Sequence, residues 1–278
     1  MRHVSAGTLA VLLGVIAVIA PIVTSIRLAW REALAYESSV SLSYGEDVLR
    51  RAEETGSQMA AGIRLINDAH EAPCSEPELA IMRKVDVGSS YIQAVGRING
   101  EEIACNSVGG VSPISLGAPI LTTERGAHEW LNVMLPLADS PVTVFALQGV
   151  AFILDPTLVL DVPTEGPNIS IATFVPSSAN HTIFSARGLR PHAVRFRTIL
   201  KGSNLTFRDA GYIVTIARAA NIDIAVITSA RESYMLSRVR RFAYIFIPFG
   251  LLSAAGLAWA VTIISRLYLS MPSVFRGR

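Results

Sequence analysis

Hydrophobic positions along this chain are concentrated in two long uncharged runs near its ends. The first run extends from Val4 to Ile26 and the second from Phe242 to Ser265. Each exceeds the roughly 20 apolar residues that a helix needs to cross a bilayer. We therefore predict transmembrane helices at residues 4–28 and 242–265.

Each of these two predictions has an alternative. The basic start at Arg2 and His3 would also suit a secretory signal peptide. The first apolar run is longer than a signal h-region, however, and no clear small-residue cleavage site precedes Arg27. A buried core helix is the alternative for the second run, whose uninterrupted hydrophobicity favours the membrane.

The segment from Trp30 to Asn67 has the spacing of a helix that continues out of the membrane. Its apolar residues recur at separations of three, four and seven positions. Such a helix either lies on the core of the following domain or forms a stalk that couples the domain to the membrane. The two alternatives are compatible, and a stalk would also suit a homodimer.

A second helix is predicted just after Cys74. Ser75 and Glu78 have the spacing of a capping box, and Pro77 falls in the first turn, where its missing N–H costs nothing. We expect this helix to run to about Lys84 with its apolar residues facing inward.

A β-hairpin is predicted from strands at residues 91–98 and 101–107. The dipeptide Asn99-Gly100 between them is a strong signal for a two-residue turn. The short connection makes the two strands antiparallel neighbours.

This turn predicts a register for the hairpin. Arg97 would lie opposite Glu102, pairing opposite charges, and Ala94 would lie opposite Cys105. Cys105 would then share the buried face with three isoleucines of the hairpin, Ile92, Ile98 and Ile103.

Short apolar runs in the rest of the middle region predict further strands. They lie at Val142–Gln148, Ala151–Leu154, Ile169–Val175, Thr182–Ser185, Tyr212–Ala217 and Ile222–Thr228. A loop is predicted over Val108–Leu121 and a short helix over Pro191–Leu200. A long helix followed by many antiparallel strands predicts an α+β sensor domain of the PAS/Cache type, lying between the two transmembrane helices.

Composition and charge support this organisation. Of the 278 residues 51% are hydrophobic, and the mean hydropathy of +0.43 is high for a soluble protein. All 22 acidic residues lie between Arg31 and Arg241, whereas residues 1–3 and 266–278 carry only basic charges. We expect residues 29–241 to lie outside the cytoplasm, both tails to be cytoplasmic, and the lipid bilayer to be a partner. The net charge of +2 gives no indication of nucleic-acid binding.

The two cysteines, Cys74 and Cys105, are the strongest candidates for chemistry in the chain. Outside the cytoplasm we expect them to pair, and closing this loop would stabilise the domain by about 3–4 kcal/mol. The bond would be either a structural staple or a redox switch. The helix start beside Cys74 favours its thiolate and speeds exchange.

Other types of site have little support. His70 lies four residues before Cys74, but two cysteines and one histidine fall short of a four-ligand zinc site, so neither a metal nor a cofactor is predicted. The tripeptide Glu32-Ala33-Leu34 matches the signature of EAL-type phosphodiesterases, yet a lone glutamate lacks the additional carboxylates of a metal-dependent site. No nucleophile motif or phosphate-binding glycine loop is present, and no catalytic residue is predicted.

One segment resembles a known family. Pro73-Cys74-Ser75, Ser90-Tyr91-Ile92-Gln93-Ala94-Val95-Gly96-Arg97 and Cys105-Asn106-Ser107, set between two apolar helices, resemble the CSS-motif periplasmic domain of bacterial cyclic-di-GMP phosphodiesterases. The resemblance implies a bacterial inner-membrane protein with a periplasmic domain at residues 29–241. It also implies a disulfide whose state is tied to phosphodiesterase activity, with periplasmic thiol oxidoreductases as partners. In that family a cytoplasmic EAL domain hydrolyses cyclic-di-GMP.

Two features depart from the family pattern. The middle residue of the triplet is Asn106, which leaves the cysteine chemistry intact but removes one hydroxyl. The chain also ends at Arg278 without an EAL domain. We therefore expect catalysis to lie outside these 278 residues, in a missing part of the protein or in a separate phosphodiesterase.

The sequence thus predicts a membrane-anchored periplasmic sensory module with a redox-sensitive disulfide, linked to cyclic-di-GMP hydrolysis. One alternative is a Cache-like sensor of small ligands whose disulfide is structural. Another is a membrane interaction protein with no sensory role.

Overall fold

The computed structural model describes residues 6–123, 126–136, 138–164, 169–176, 183–188 and 199–270. The helices in these ranges are α1 (Ala6–Asp68), α2 (Glu76–Val87), α3 (Pro156–Leu160) and α4 (Glu232–Ser270). The strands are β1 (Ile92–Asn99), β2 (Glu102–Asn106), β3 (Ile114–Ser115), β4 (Leu121–Thr122), β5 (His128–Val133), β6 (Val142–Leu147), β7 (Val150–Leu154), β8 (Ile169–Phe174), β9 (Ile183–Arg187), β10 (Asn204–Asp209), β11 (Tyr212–Arg218) and β12 (Ala225–Arg231). The α+β class with a long N-terminal helix is therefore confirmed.

The chain divides into two compact units, and the first comprises residues 1–39 and 231–278. Helical stretches within Gly14–Asp68 and Glu232–Ala260 are long and apolar enough to cross a membrane, and few residues of their most apolar windows are buried. This property concerns length and hydropathy alone, so the two-pass topology stays a prediction.

A buried ion pair joins the two helices of this first unit. Arg238 Nε of α4 lies 2.9 Å from Glu37 Oε2 of α1, and the Glu37 side chain is completely buried. The guanidinium group also lies over the ring of Tyr36, 4.5 Å from its centroid. Removing either charged partner would leave the other buried without its ion-pair partner.

The second unit, residues 40–230, contains two antiparallel sheets. The seven-stranded sheet has the order β3-β2-β1-β7-β6-β5-β4, and the five-stranded sheet has the order β10-β11-β12-β8-β9. Hairpin connections such as β6–β7 and β10–β11 make neighbours in sequence neighbours in the sheet.

Helix α1 supplies part of the core of both sheets. Val48 and Leu49 pack with the five-stranded sheet, and Ile63 and Ile66 pack with the seven-stranded sheet and α2. Gly62 lies at a close approach, because a Cβ atom there would be 2.8 Å from Val85 Cγ1. The close packing of α1 against α2 explains why glycine occurs at this position, although glycine in the middle of a helix normally weakens it.

Most predicted elements are found, with shifted ends. The helix predicted from Trp30 to Asn67 is part of α1, and the helix after Ser75 ends at Val87 rather than near Lys84. The predicted strand Ile222–Thr228 is β12 and begins at Ala225. The sequence prediction missed four strands, namely β3, β4, β5 and β10. Residues 191–198 of the predicted Pro191–Leu200 helix lie outside the described residues, and Ile199 and Leu200 are not helical.

Candidate functional site

Cys74 and Cys105 form a disulfide that joins the start of α2 to strand β2. Their Cα atoms are 5.8 Å apart, within the normal range for this bond. Cys105 is completely buried, whereas Cys74 is partly exposed and has a left-handed backbone with φ of 60°. The predicted pairing is confirmed, and Cys74 is the less buried of the two cysteines.

The hairpin register differs from the prediction. Asn99 pairs with Glu102, so the turn residues are Gly100 and Glu101, one position later than expected. A glycine with positive φ at the first turn position is typical of a type II′ turn. The dipeptide Asn99-Gly100 correctly indicated a hairpin with a two-residue turn, but the predicted position of the turn was wrong by one residue.

A β-bulge at Ala104 then shifts the register again. Ile98 pairs with Ile103 and Arg97 pairs with Cys105, which leaves Ala104 as an extra residue on β2. The bulge sends Ile103 to the sheet face that packs with Trp130 and Cys105 to the face that packs with α1 and α2.

The expected grouping around Cys105 is therefore wrong in three respects. Cys105 does not share a face with Ile103 and Ile98, Ala94 does not lie opposite it, and Arg97 does not pair with Glu102. The sequence prediction assumed regular alternation along β2, and the extra residue breaks it.

Gly96 permits this irregular pairing. A Cβ atom at this position would lie 2.7 Å from Cys105 O and 2.9 Å from Ile103 Cγ2. The bulge brings the backbone of β2 so close to β1 that only glycine fits.

A buried ion pair adjoins the disulfide. The Glu78 side chain is completely buried and pairs with Arg97, whose side chain is 17% exposed. Arg97 Nε donates to Glu78 Oε1 at 3.1 Å, and Arg97 Nη1 donates to Asn67 Oδ1 at 3.1 Å. Glu78 Oε2 also accepts the backbone N–H of Cys74 at 2.6 Å. The carboxylate thus binds the backbone of Cys74 and, through Arg97, strand β1, in which Arg97 lies opposite Cys105 of β2.

The last residue of the triplet holds the other end of α2. Ser107 Oγ donates to Asp86 Oδ2 at 2.9 Å and accepts the backbone N–H of Val95 at 3.1 Å. Burial raises the pKa of Asp86 above its usual range, and the hydrogen bond from Ser107 opposes part of that shift. Cys105 and Ser107 together fasten both ends of α2 to β2.

The structure gives Asn106 a role in the turn that follows. Its Oδ1 accepts the backbone N–H groups of Val108 at 3.1 Å and Gly109 at 2.6 Å. This is an Asx-turn, and serine makes the equivalent turn through its hydroxyl group. Asn106, which replaces the first serine of the family triplet, therefore forms the same kind of turn that a serine would form.

Three possible metal ligands converge at the bridge. The donor atoms of Cys74, Glu78 and Cys105 all lie within 4.8 Å of one another, and in the oxidised protein the two sulfurs are bonded to each other. His70, the histidine considered from sequence, is exposed, and its Nδ1 lies 2.6 Å from the carbonyl oxygen of Asp68. Sequence reasoning identified Glu78 as a capping residue and missed its place beside both sulfurs.

A second buried carboxylate lies elsewhere in the same sheet. Glu129 of β5 is 8% exposed, and its Oε2 has no hydrogen-bond partner among the described residues. Burial raises the pKa of Glu129 to about 7. It was not predicted, because its strand has no regular alternation of polar and apolar residues.

A small cavity lies on the sheet face opposite the disulfide. Its volume is about 190 Å³, and Gln93, Ala94, Asn106, Leu135 and Ile153 are among its lining residues. It is smaller than most ligand pockets. Asn106 is shared between the triplet and this cavity.

A protein-family model matches residues 39–243, and its description is the CSS motif domain associated with EAL. The match covers most of the chain, including the disulfide, α2 and both sheets. The chain therefore belongs to the CSS-motif family. Comparison with curated protein sequences gave no significant match.

Solved structures resemble the chain more distantly. The sensory domain of the Campylobacter jejuni chemoreceptor Tlp3 with isoleucine bound is 10% identical with a TM-score of 0.46, covering 77% of this chain and 98% of that one. The periplasmic domain of RsbU from Chlamydia trachomatis is 12% identical with a TM-score of 0.42, covering 74% of this chain and 97% of that one. At these scores the likenesses assign neither a ligand nor a function.

Proposed function

We propose that this member of the CSS-motif family is a membrane-anchored sensory module of the bacterial inner membrane. Residues 29–241 would lie in the periplasm, between transmembrane helices at 4–28 and 242–265. The state of the Cys74–Cys105 disulfide would be the signal, and the hydrolysis of cyclic-di-GMP by an EAL domain would be the output. The family's association with EAL supports this output.

The position of the disulfide is the observation that carries the proposal. The bond ties the beginning of α2 to β2, and α2 packs through Leu79 and Met82 in the same core as Ile63 and Ile66 of α1. Release of the bond would free one end of α2 while Ser107 still holds the other. The consequence would be a change in how α2 packs on α1, the helix that leads toward the predicted membrane segment.

Thiol–disulfide exchange would begin at Cys74, the less buried of the two cysteines. The thiolate of a dithiol reductant attacks Cys74 Sγ, forms a mixed disulfide and releases Cys105 as a thiolate, which takes up a proton. The second thiol of the reductant then attacks its own sulfur in the mixed disulfide. It releases Cys74 and leaves the reductant as a disulfide, so that two electrons have entered the pair.

Arg97 would assist this exchange. It lies directly across from Cys105 in the β1–β2 pairing, and its cationic group would stabilise the departing thiolate in a buried setting. Periplasmic thiol oxidoreductases are the partners that would supply or remove the electrons.

Thiol trapping in cells tests the proposal. Full-length protein is labelled with a membrane-impermeant alkylating reagent in cells with and without their periplasmic thiol oxidase, and modified cysteines are counted by gel shift. We expect oxidised protein with the oxidase and, without it, a Cys74 thiol that is labelled in intact cells and a buried Cys105 thiol that is labelled after denaturation. External labelling of Cys74 also tests the topology. A pair that is fully oxidised in both strains would leave the bond as a structural staple.

The cavity beside Asn106 supports a second candidate function, a sensor of small amphiphilic molecules. Its apolar lining with polar groups from Gln93 and Asn106 suits a short-chain compound with one hydrogen-bonding end. The compounds to test are carboxylates and amines of about 4–6 carbons, a size chosen to fit the cavity. We expect them to raise the melting temperature of the protein. Ala94→Leu, which fills the cavity, would abolish the increase, and an unchanged melting temperature with every compound would exclude this role.

A further inference from the structure

We propose that, once the disulfide is reduced, Cys74, Cys105 and Glu78 form a three-ligand site for a thiophilic divalent cation such as Zn²⁺. This inference rests on the proposed function, because it needs a reducible disulfide. It extends the proposed redox signal, because the metal would bind to and stabilise the reduced protein, and oxidation of the two thiols would abolish the site.

The donor atoms are close to the geometry that such a cation needs. All three lie within 4.8 Å of one another. In a tetrahedral zinc site with Zn–S of about 2.3 Å and Zn–O of about 2.0 Å, neighbouring donors are about 3.5–3.8 Å apart. The sulfurs must therefore separate from bonding distance, and the Glu78 oxygen must approach each sulfur by roughly 1.3 Å at most to reach such spacing. Side-chain rotation supplies movements of this size without unfolding α2.

The carboxylate is already held by surrounding groups. Glu78 Oε2 accepts the N–H of Cys74, and Oε1 accepts from Arg97, which is oriented by Asn67. A carboxylate has about four lone-pair positions, so these bonds leave room for a metal. Ligands fixed by hydrogen bonds of this kind are the rule in protein metal sites.

Charge balance favours a divalent cation at this position. Two thiolates and one carboxylate carry three negative charges, Arg97 carries one positive charge, and a divalent cation brings the sum to zero. Cys105 and Glu78 are completely buried, where an unbalanced charge is costly. Two thiolates also favour zinc over magnesium or calcium, which prefer oxygen ligands.

The fourth coordination position would be open to solvent. Cys74 is only partly buried, so water can complete a tetrahedron on that side. Binding would release two protons, one from each thiol, after a dithiol reductant has delivered two electrons and two protons to the disulfide.

Metal titration of full-length protein in detergent tests the site. The protein is prepared oxidised or reduced with a trialkylphosphine, and Zn²⁺ binding is measured by competition with a chromophoric chelator. We expect one zinc ion per reduced chain and none per oxidised chain. Cobalt(II) should give the visible bands of tetrahedral coordination together with a thiolate charge-transfer band in the reduced protein only.

Variants identify the ligands. Cys74→Ser and Cys105→Ser should each abolish the charge-transfer signal of a two-thiolate site, and Glu78→Gln should weaken zinc binding by about tenfold or more. Glu76→Gln is the matched control, because Glu76 lies in the same first turn of α2 but outside the cluster. Circular dichroism checks that each variant is folded. Glu78→Asp, which keeps the carboxylate, should retain more affinity for zinc than Glu78→Gln.

Three results would overturn the site. Zinc bound equally by oxidised protein would indicate surface binding, and unchanged affinity in Glu78→Gln would remove the third ligand. Reduced wild-type protein with two alkylatable thiols but no bound zinc would reject the metal site while leaving the redox proposal intact. A disulfide that resists reduction in the folded protein would reject both.

Discussion

The seven-stranded and five-stranded sheets both pack against α1, but different groups fasten them to it. On the seven-stranded sheet a disulfide, a buried ion pair and the Ser107–Asp86 hydrogen bond hold α2, and Arg97 also donates a hydrogen bond to Asn67 of α1. On the five-stranded sheet the contacts are mostly apolar. Arg51 of α1 adds hydrogen bonds to the carbonyl oxygens of Leu158 and Asp161.

The buried polar residues of the two sheets differ in the same way. Within the described residues, those of the five-stranded sheet are hydroxyl side chains, namely Ser170, Thr173, Thr215, Thr228 and Ser229. The seven-stranded side contains two buried carboxylates, Glu78 and Glu129. Hydroxyl groups do not titrate in the physiological range, whereas buried carboxylates respond to charge, protons and cations. The stability of the seven-stranded side should therefore depend more on neighbouring charges, on pH and on cations than that of the five-stranded side.

The largest expected difference concerns one ion pair on each side. Arg97→Met leaves Glu78 buried without its partner and should lower the free energy of unfolding by about 3–5 kcal/mol. The matched change is Arg218→Met, since Arg218 is similarly buried but its partner Asp223 is 33% exposed. That change should cost only about 1–2 kcal/mol.

Urea unfolding in nonionic detergent measures both losses. The chain has three tryptophans, and replacing Trp30 and Trp259 by phenylalanine leaves Trp130 as the reporter in the seven-stranded sheet. Equal losses for Arg97→Met and Arg218→Met would show that burial of the carboxylate does not distinguish the two pairs.

A smaller difference should appear as pH changes. The pKa of Glu129 is raised to about 7 from an ordinary value of 4.5, so the folded state binds the proton more tightly than the unfolded state. Stability from this group is therefore greatest below about pH 4.5 and falls as pH rises to about 7, by roughly 3 kcal/mol in total. Glu129→Gln should remove this loss and be more stable than the parent protein at pH 8.

The relevant measurement is the difference in unfolding free energy between Glu129→Gln and the parent from pH 5 to pH 8. That difference should grow with pH. Glu102→Gln, an exposed position of the same sheet, is the control and should show no such trend. A constant difference for Glu129→Gln would contradict the raised pKa.

The smallest expected difference concerns a hydroxyl group on each side. Ser107→Ala removes the partner of the buried Val95 N–H and of Asp86 and should cost about 1–2 kcal/mol. Thr206→Val removes one hydroxyl of the Thr206–Thr215 contact, keeps the side-chain shape, and should cost less than about 1 kcal/mol. Urea unfolding of the two variants gives the comparison, and a larger loss for Thr206→Val would reverse it.

Local signals predicted α2 and the long helices but missed the short helix α3, and they located the hairpin without its register. Ser75 and Pro77 mark the start of α2 in the sequence because capping is decided within one turn of helix. Strand β10 was missed although Leu205 and Phe207 alternate with polar residues, so its signal was available. Strand β5 gave no such signal, because Glu129 is a charged residue on a buried position.

The site itself was only partly predictable. The pairing of Cys74 with Cys105 follows from there being two cysteines in one segment that the sequence predicts to lie outside the cytoplasm. The contact between Arg97 and Glu78 joins a strand to a helix across 19 positions of sequence, so no local signal predicts it. The pairing of Arg97 with Cys105, by contrast, depends on the bulge at Ala104. The sequence of residues 99–105 contains no signal that predicts this extra residue.

The bulge at Ala104 also limits which changes in chain length the family segment can accept. Because successive side chains alternate between faces except at a bulge, the number of residues separating the turn from Cys105 and the bulge together fix the side of the sheet on which its sulfur emerges. Deleting Ala104 would remove the bulge, keep Cys105 opposite Arg97 and leave its sulfur on the face of Cys74. Adding one residue between the turn and Cys105 without a second bulge would instead turn the thiol to the other face, so a relative with the same two cysteines and a longer connection needs a second irregularity for its thiols to meet.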